Sequence, residues 1–146
     1  MKLKFPDGRG IRPPDSFHLS AAVGWMELGN PVEAAEELGR ISVEIAAGLE
    51  VLAFKWEVHS KLRLWPECLA IADQLVKEWP GEPTGWIDRS FALHELDRTQ
   101  DAFENLLSVV GQFETISTLP YNLACYACQL GDHADAMNWF LKARDV

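Results

Sequence analysis

Residues 123–140, LACYACQLGDHADAMNWF, contain one complete copy of a pattern that recurs along the chain. In this copy Leu130 is followed, six residues later, by the small side chain of Ala136. Both features recur at equal intervals without a gap, which gives two columns: Leu28, Leu62, Leu96 and Leu130, and Ala34, Cys68, Ala102 and Ala136. The interval is about 34 residues, and this period is typical of stacked helix-turn-helix units. The spacing therefore predicts an all-α repeat fold.

The pattern resembles the tetratricopeptide repeat, in which Trp, Leu-Gly, Tyr, Ala, Phe and Pro follow one another. The last repeat fits best, with Leu123-Ala124, Leu130-Gly131, Ala136 and Phe140, and the resemblance covers about nine-tenths of the chain. It implies a right-handed α-solenoid that forms a single domain over residues 15–146. The expected repeats are 15–48, 49–82, 83–116 and 117–146, and residues 1–14 are predicted to form an extended basic arm.

Packing and turn chemistry agree with this fold. Small residues should occur where the two helices of a repeat cross, and Ala22, Ser90 and Ala124 meet this requirement. Trp56 has the equivalent position in the second repeat, which we therefore expect to be locally splayed or repacked. Glycine, asparagine and proline between helices suit the left-handed turn after one helix and the first turn of the next. Apolar residues three or four positions apart predict a helix through Ala102, Leu106, Val109 and Val110.

Charge is divided unevenly along the chain, whose net charge is −9. Residues 1–14 have four basic residues and one acidic residue, which gives +3; the remainder has nine basic and twenty-one acidic residues, which gives −12. An acidic surface repels nucleic-acid phosphates and anionic lipids, and it favours a basic partner or simply solubility. The basic arm is expected either to dock on the acidic solenoid or to be a frayed terminus.

The sequence also limits location and partners. No stretch approaches the roughly 20 apolar residues of a membrane span, and residues 1–14 lack the apolar segment of a signal peptide. Three cysteines are too few for a disulfide framework, which favours a reducing compartment. We therefore expect a cytoplasmic protein with no nucleic-acid or membrane partner.

The resemblance implies that the first helices of the repeats line a concave groove that binds a peptide or helix. The groove positions are mostly apolar and aromatic, which is typical of a binding surface. They are Leu19, Val23, Met26, Ala53, Phe54, Glu57, Ile87, Phe91, His94, Tyr121, Cys125 and Cys128. Phe54 and Phe91 are predicted to be partly exposed anchors for an apolar ligand with some basic charge. The alternative is that several of these side chains belong to the core between repeats.

Catalytic and metal sites have little support in the sequence. No serine or cysteine occupies a recognisable strained turn, and no glycine-rich loop follows a strand, so we expect no enzyme activity and no cofactor. Cys125 and Cys128 share a helix face, and His94 could lie opposite them on the preceding repeat. A zinc site needs about four ligands, whereas this set has three, and cysteines inside helices are more often apolar filler. A metal or redox protein built on these residues is the least favoured alternative.

We interpret the chain as a non-catalytic protein–protein interaction module. A second interpretation is a chaperone for a secreted or membrane-active protein, because small acidic proteins of the resembled family include type III secretion chaperones. The last repeat predicts a further contact, since the helix face that a next repeat would cover is apolar. A homodimer or a partner protein is expected to cover this face, which contains Ala136, Met137, Phe140, Leu141 and Ala143.

Overall fold

The computed structural model describes residues 10–146, which form α-helices joined by turns. The nine helices in this part of the chain are α1 (Asp15–Glu27), α2 (Pro31–Leu38), α3 (Val43–Ala46), α4 (Leu49–Lys61), α5 (Trp65–Glu78), α6 (Pro83–Glu95), α7 (Thr99–Leu107), α8 (Thr118–Gln129) and α9 (His133–Arg144). The first helices of the four repeats are α1, α4, α6 and α8, and the second helices are α2, α5, α7 and α9. The predicted all-α fold of helix-turn-helix repeats is confirmed.

The helices keep the repeat period of the sequence. Successive starts of α1, α4 and α6 are one period apart, and so are those of α2, α5, α7 and α9, whereas α8 begins one residue late. The described residues divide within α5 into two compact units, of which the first ends at Ile71 and the second begins at Ala72. A single domain over residues 15–146 therefore stays a prediction. The predicted arm also stays a prediction, because its residues 1–9 lie outside the described residues.

The leucine column marks the end of every first helix. Its four members are the C-terminal cap residues of α1, α4, α6 and α8. The residue after each leucine has a positive φ: Gly29 (74°), Arg63 (57°), Asp97 (60°) and Gly131 (85°). The Gly131 N–H donates to the Cys128 carbonyl at 3.0 Å, and the Asp132 N–H donates to the Ala127 carbonyl at 3.0 Å. These two bonds form a Schellman motif, and equivalent bonds close the other three first helices, so one turn geometry fixes the register.

In the first unit, α1, α2 and α4 pack around one apolar core. Ala22 and Ala34, at the crossing of α1 and α2, are fully buried. Around them lie the larger core side chains Leu19, Leu38, Ile41, Val51, Phe54 and Val58. Asp15 accepts hydrogen bonds from the Ser42 N–H at 2.8 Å and from the Ser42 hydroxyl at 2.6 Å. These bonds attach the start of α1 to the loop before α3. Ile11, which belongs to the predicted arm, packs against the same core.

One contact at the helix crossing of the second repeat persists despite the bulk of Trp56. The Cys68 thiol donates to the Trp56 carbonyl at 3.8 Å, and Cys68 is fully buried. In the third repeat the Ser90 hydroxyl donates to the Ala102 carbonyl at 2.8 Å. The two pairs are one repeat period apart, so the same two positions make the contact in both repeats. The predicted local splaying or repacking at Trp56 stays a prediction.

The second unit has a core of its own, formed by the end of α5 and by α6, α7 and α8, and α9 packs against α8. Its fully buried leucines are Leu75, Leu93, Leu106, Leu119 and Leu123. Gly85 allows α6 to approach the end of α5 closely, because a β-carbon at this position would lie 2.9 Å from the Leu75 β-carbon. Of the small residues predicted at helix crossings in this unit, Ser90, Ala102 and Ala124 are buried, whereas Ala136 is half-buried.

The second helix of the third repeat is shorter than the sequence predicts. α7 ends at Leu107, so the predicted continuation through Val109 and Val110 is wrong. The N–H groups of both valines donate to the Leu106 carbonyl, which tightens the chain into a turn. The Ser108 hydroxyl donates to the Asn105 carbonyl at 2.7 Å and so satisfies one carbonyl of the last helical turn. None of the described helices is both long and apolar enough to cross a membrane.

Candidate functional site

The predicted groove residues of the first unit are largely core residues. Leu19 and Phe54 are each only 5% exposed, so the prediction that Phe54 is a partly exposed anchor is wrong. Phe54 lies three residues after Val51 and four before Val58, and these spacings place all three on the core face of α4. Two other predicted residues, Val23 and Met26, are half-buried against this core, whereas Glu57 is exposed.

The predicted groove residues of the second unit are more accessible. In α6, Phe91 is 40% exposed, as predicted, and in α8 Tyr121 is 52% exposed. α6 and α8 contact each other, and the spacings of four and three residues put each set on one side of its helix. We call this surface the groove face; it consists of Ile87, Phe91 and His94 of α6 and of Tyr121 and Cys125 of α8.

His94 is held in place by two neighbours. Its Nδ1 atom lies 2.9 Å from the Thr99 hydroxyl, and its ring lies 5.3 Å from the ring of Tyr126 at an angle of 42°. Burial raises the pKa of Tyr126 above its ordinary value, and the nearby Cys125 and Glu95 add to this effect. Tyr126 is therefore a neutral side chain that supports the imidazole from the core side of α8.

The cysteines do not meet His94. The Cys128 sulfur lies 3.9 Å from Nδ1 of His133, at the start of α9, and both Cys125 and Cys128 are exposed. Within residues 10–146, no three His, Cys, Asp or Glu side chains are grouped closely enough to hold a metal ion. The ligand set of Cys125, Cys128 and His94 is therefore not assembled in this part of the chain.

A polar network inside the second unit was not predicted. The amide nitrogen of Asn105 donates to the Trp86 carbonyl at 2.9 Å and to the Ser90 hydroxyl at 2.6 Å. Arg89 donates to the Asn105 side-chain oxygen at 2.8 Å and to Asp73 at 2.7 Å. Asn105 is only 6% exposed, so the network stabilises the packing of α6 on α7. The available signal was a polar residue on the apolar side of α7, between Ala102 and Leu106.

An open cleft of about 490 Å³ lies between the start of α8 and the end of α9. We call it the end cleft; it is lined by Ser117, Thr118, Tyr121, Phe140, Ala143 and Arg144. The residues predicted as an oligomer contact are all exposed on α9, namely Met137 (58%), Phe140 (50%) and Leu141 (38%). Next to them, the Lys142 ammonium lies 4.3 Å from the centre of the Trp139 ring. This end of the second unit therefore combines exposed apolar surface with the charges of Lys142, Arg144 and Asp145, of which the last two are paired at 3.1 Å.

The second unit is strongly acidic as a whole. Residues 72–146 contain twelve acidic and five basic residues, so their net charge is 5 − 12 = −7. Residues 10–71 contain nine acidic and five basic residues, which gives −4. The groove face thus belongs to the more acidic of the two units.

No protein-family model matches the chain, and no curated protein is similar to it in sequence. Several solved structures have a similar fold. The structure described as the MamA RS-1 ArsTM double mutant has a TM-score of 0.79 and 13% identity, over 92% of this chain and 76% of that one. A crystal structure of MamA has a TM-score of 0.78 and 12% identity, over 90% and 77%. TTC0263, a thermophilic TPR protein in Thermus thermophilus, has a TM-score of 0.74 and 19% identity, over 88% and 72%. At these identities the likeness shows a tetratricopeptide-like fold.

Proposed function

We propose that the protein is a non-catalytic interaction module that binds a peptide or helix of another protein on the groove face. The observation that carries this proposal is the exposure of two aromatic side chains, Phe91 and Tyr121, on neighbouring first helices. Aromatic residues dominate binding energy at protein interfaces because they bury a large area at a small entropic cost. The similarity to solved tetratricopeptide-like structures supports a protein as the partner.

The chemistry of the face defines the ligand. Ile87, Phe91 and Tyr121 offer apolar contacts, and His94 adds a polar group that is already held by Thr99. The surrounding unit has a net charge of −7, which attracts basic residues and repels acidic ones. We therefore expect a ligand with apolar or aromatic anchors flanked by lysine or arginine. Binding should weaken with added salt, because exposed charges are screened over about 8 Å at physiological ionic strength.

The proposal includes a cytoplasmic location. The three cysteines form no disulfide, and two of them, Cys125 and Cys128, are exposed. Exposed thiols persist in a reducing compartment, whereas they are readily oxidised outside it.

A selection from a displayed library of random peptides tests the groove face without knowledge of the natural partner. The strongest binder is measured against the wild type, Phe91→Ala and Leu107→Ala. Leu107 is a matched control, because it is an apolar side chain of similar exposure, 45%, on α7 and outside the groove face. Truncation of a central anchor costs about 2 kcal/mol, so Phe91→Ala should weaken binding about 30-fold, while Leu107→Ala should bind like the wild type.

Two results would count against the proposal. The first is a binder that tolerates Phe91→Ala as well as it tolerates Leu107→Ala, since the contact would then lie elsewhere. The second is a set of selected peptides with no excess of lysine and arginine and no loss of affinity in high salt. Circular dichroism of each variant confirms that the helices are unchanged.

A further inference from the structure

One position of the second helices is buried in three repeats and exposed in the fourth. Leu38, Ala72 and Leu106 are at most 5% exposed, whereas Phe140, the next residue in this series of equivalent positions, is 50% exposed. In the first and third repeats the second helix lies against the first helix of the following repeat, since α2 contacts α4 and α7 contacts α8. Phe140 therefore lies on a face that the other second helices use to stack on a next repeat.

The first helices show the complementary difference. Val51, Gly85 and Leu119 occupy equivalent positions in successive repeats and are all buried, whereas Phe17, the first member of the series, is 68% exposed. The close contact of Gly85 with Leu75 shows that this position faces the preceding second helix. Phe17 is thus the exposed member of this series, whose later members are buried against the preceding repeat.

Three residues that line the end cleft are equivalent in the repeat register to residues that surround Val51 in the first unit. Val51 packs in the core of the first unit with Leu19, Leu38 and Ile41. Three repeat periods further along the chain, the same three positions are Tyr121, Phe140 and Ala143, which line the end cleft. One period before Val51 is Phe17. The chain therefore has an open receptor site on its last repeat and, on its first helix, an exposed side chain equivalent to the Val51 that fills such a site in the first unit.

We propose that copies of this chain associate head to tail, with Phe17 of one copy inserted into the end cleft of another. The contact is heterologous, because α1 of one copy meets α9 of the next, and the resulting pair still presents one free face of each kind. This differs from the predicted two-fold dimer through Met137, Phe140 and Leu141, in which α9 would meet its own copy. The end cleft shares Tyr121 with the groove face, whose other aromatic anchor, Phe91, does not line the cleft. The test below changes neither of these two aromatic residues.

Two glutamate variants distinguish the possible contacts. Phe17→Glu blocks the α1 face, Phe140→Glu blocks the α9 face, and Val43→Glu is the matched control, since Val43 is 86% exposed on α3 and belongs to neither face. The mass of each protein in solution is measured by light scattering and sedimentation from micromolar to millimolar concentration. Circular dichroism and thermal melting confirm that the variants are folded. An equimolar mixture of Phe17→Glu and Phe140→Glu is measured in the same way.

Head-to-tail association predicts a distinctive result for the mixture. The wild type and Val43→Glu should increase in mass with concentration, and each phenylalanine variant alone should be monomeric. The mixture should form a one-to-one dimer, because Phe17→Glu retains the end cleft and Phe140→Glu retains Phe17. Three results overturn the proposal: a wild type that stays monomeric, a mixture that stays monomeric, or a single phenylalanine variant that still associates. Association of Phe17→Glu alone would instead support the two-fold contact through α9.

Discussion

Gly85 provides a sharp test of how closely α5 and α6 approach each other in the second unit. The β-carbon of an alanine at this position would lie 2.9 Å from the Leu75 β-carbon, 3.1 Å from the Val76 nitrogen and 3.2 Å from the Leu75 carbonyl carbon. Two of these three atoms belong to the backbone of α5, so no change of rotamer relieves the contact. Overpacking costs about 1–3 kcal/mol, whereas the higher helix propensity of alanine contributes at most about 1 kcal/mol.

Because backbone must move, Gly85→Ala should lower the free energy of unfolding by about 1–2 kcal/mol. Gly24→Ala is the matched control, because it also lies in a first helix and its β-carbon would meet nothing within 4 Å. That substitution should raise the free energy of unfolding by up to about 1 kcal/mol. The same chemical change is therefore expected to have opposite effects at the two positions.

Urea denaturation followed by far-ultraviolet circular dichroism measures both changes. With a slope of about 2 kcal/mol per M, the midpoint should fall by about 0.5–1 M for Gly85→Ala and rise by up to about 0.5 M for Gly24→Ala. Both substitutions are made in the Phe140→Glu background, so that association does not contribute to the midpoint. A midpoint for Gly85→Ala at or above that of its parent would refute the reasoning, since α6 would then have room for a side chain.

The repeat architecture could be predicted from sequence because one local turn sets the period. Each leucine of the column ends a first helix, and the next residue adopts a positive φ. Glycine at two of these positions, Gly29 and Gly131, is a recognisable sign of such a turn. Arg63 and Asp97 adopt the same conformation without that sign, and only their place in the repeat register, equivalent to the two glycines, indicates it. The period thus carried information that residue type alone did not.

Exposure within a helix was predicted less well, because it depends on the neighbours of that helix. In the repeat register Phe54 is equivalent to Ser20, Asp88 and Asn122, and these polar residues favour a position outside the core. Within α4, however, Phe54 shares its face with Val51 and Val58, which are both buried. The local apolar spacing decides the orientation of Phe54, and the column derived from the other repeats does not.

The Asn105 network and the end cleft depend on contacts between residues far apart in sequence. Asn105 bonds to groups 15 to 19 residues away, and this pairing requires the packing of α7 on α6. In the end cleft, Tyr121 and Phe140 come together because α8 packs on α9. The sequence indicated an apolar face on α9, but the shape of the cleft and its equivalence to the Val51 site became visible only in the folded chain.

Three further predictions test the turns, the titration and the network. Gly131→Ala should lower the free energy of unfolding by about 1 kcal/mol, because φ is 85° there, whereas Arg63→Gly should not lower it; urea midpoints measure both. Burial lowers the pKa of His59 below 6.5. As the pH falls, His59 is therefore protonated in the unfolded chain before it is protonated in the folded chain. The stability that neutral His59 contributes is therefore fully present above pH 6.5, and the free energy of unfolding decreases as the pH falls below that value. His59→Gln should flatten this part of the stability–pH curve, and an unchanged slope would contradict the assignment. Asn105→Asp should destabilise the second unit by about 1–3 kcal/mol, even though it gives Arg89 a charged partner. A carboxylate cannot donate to the Trp86 carbonyl or to the Ser90 hydroxyl, which Asn105 contacts at 2.9 and 2.6 Å. It would also place a negatively charged oxygen against the carbonyl oxygen, and the site is too buried for water to separate the two. Asn138→Asp, at an exposed position of α9, controls for the added charge. If Asn105→Asp is as stable as Asn138→Asp, the ion pair with Arg89 outweighs both lost hydrogen bonds, and the amide is not what holds α6 against α7.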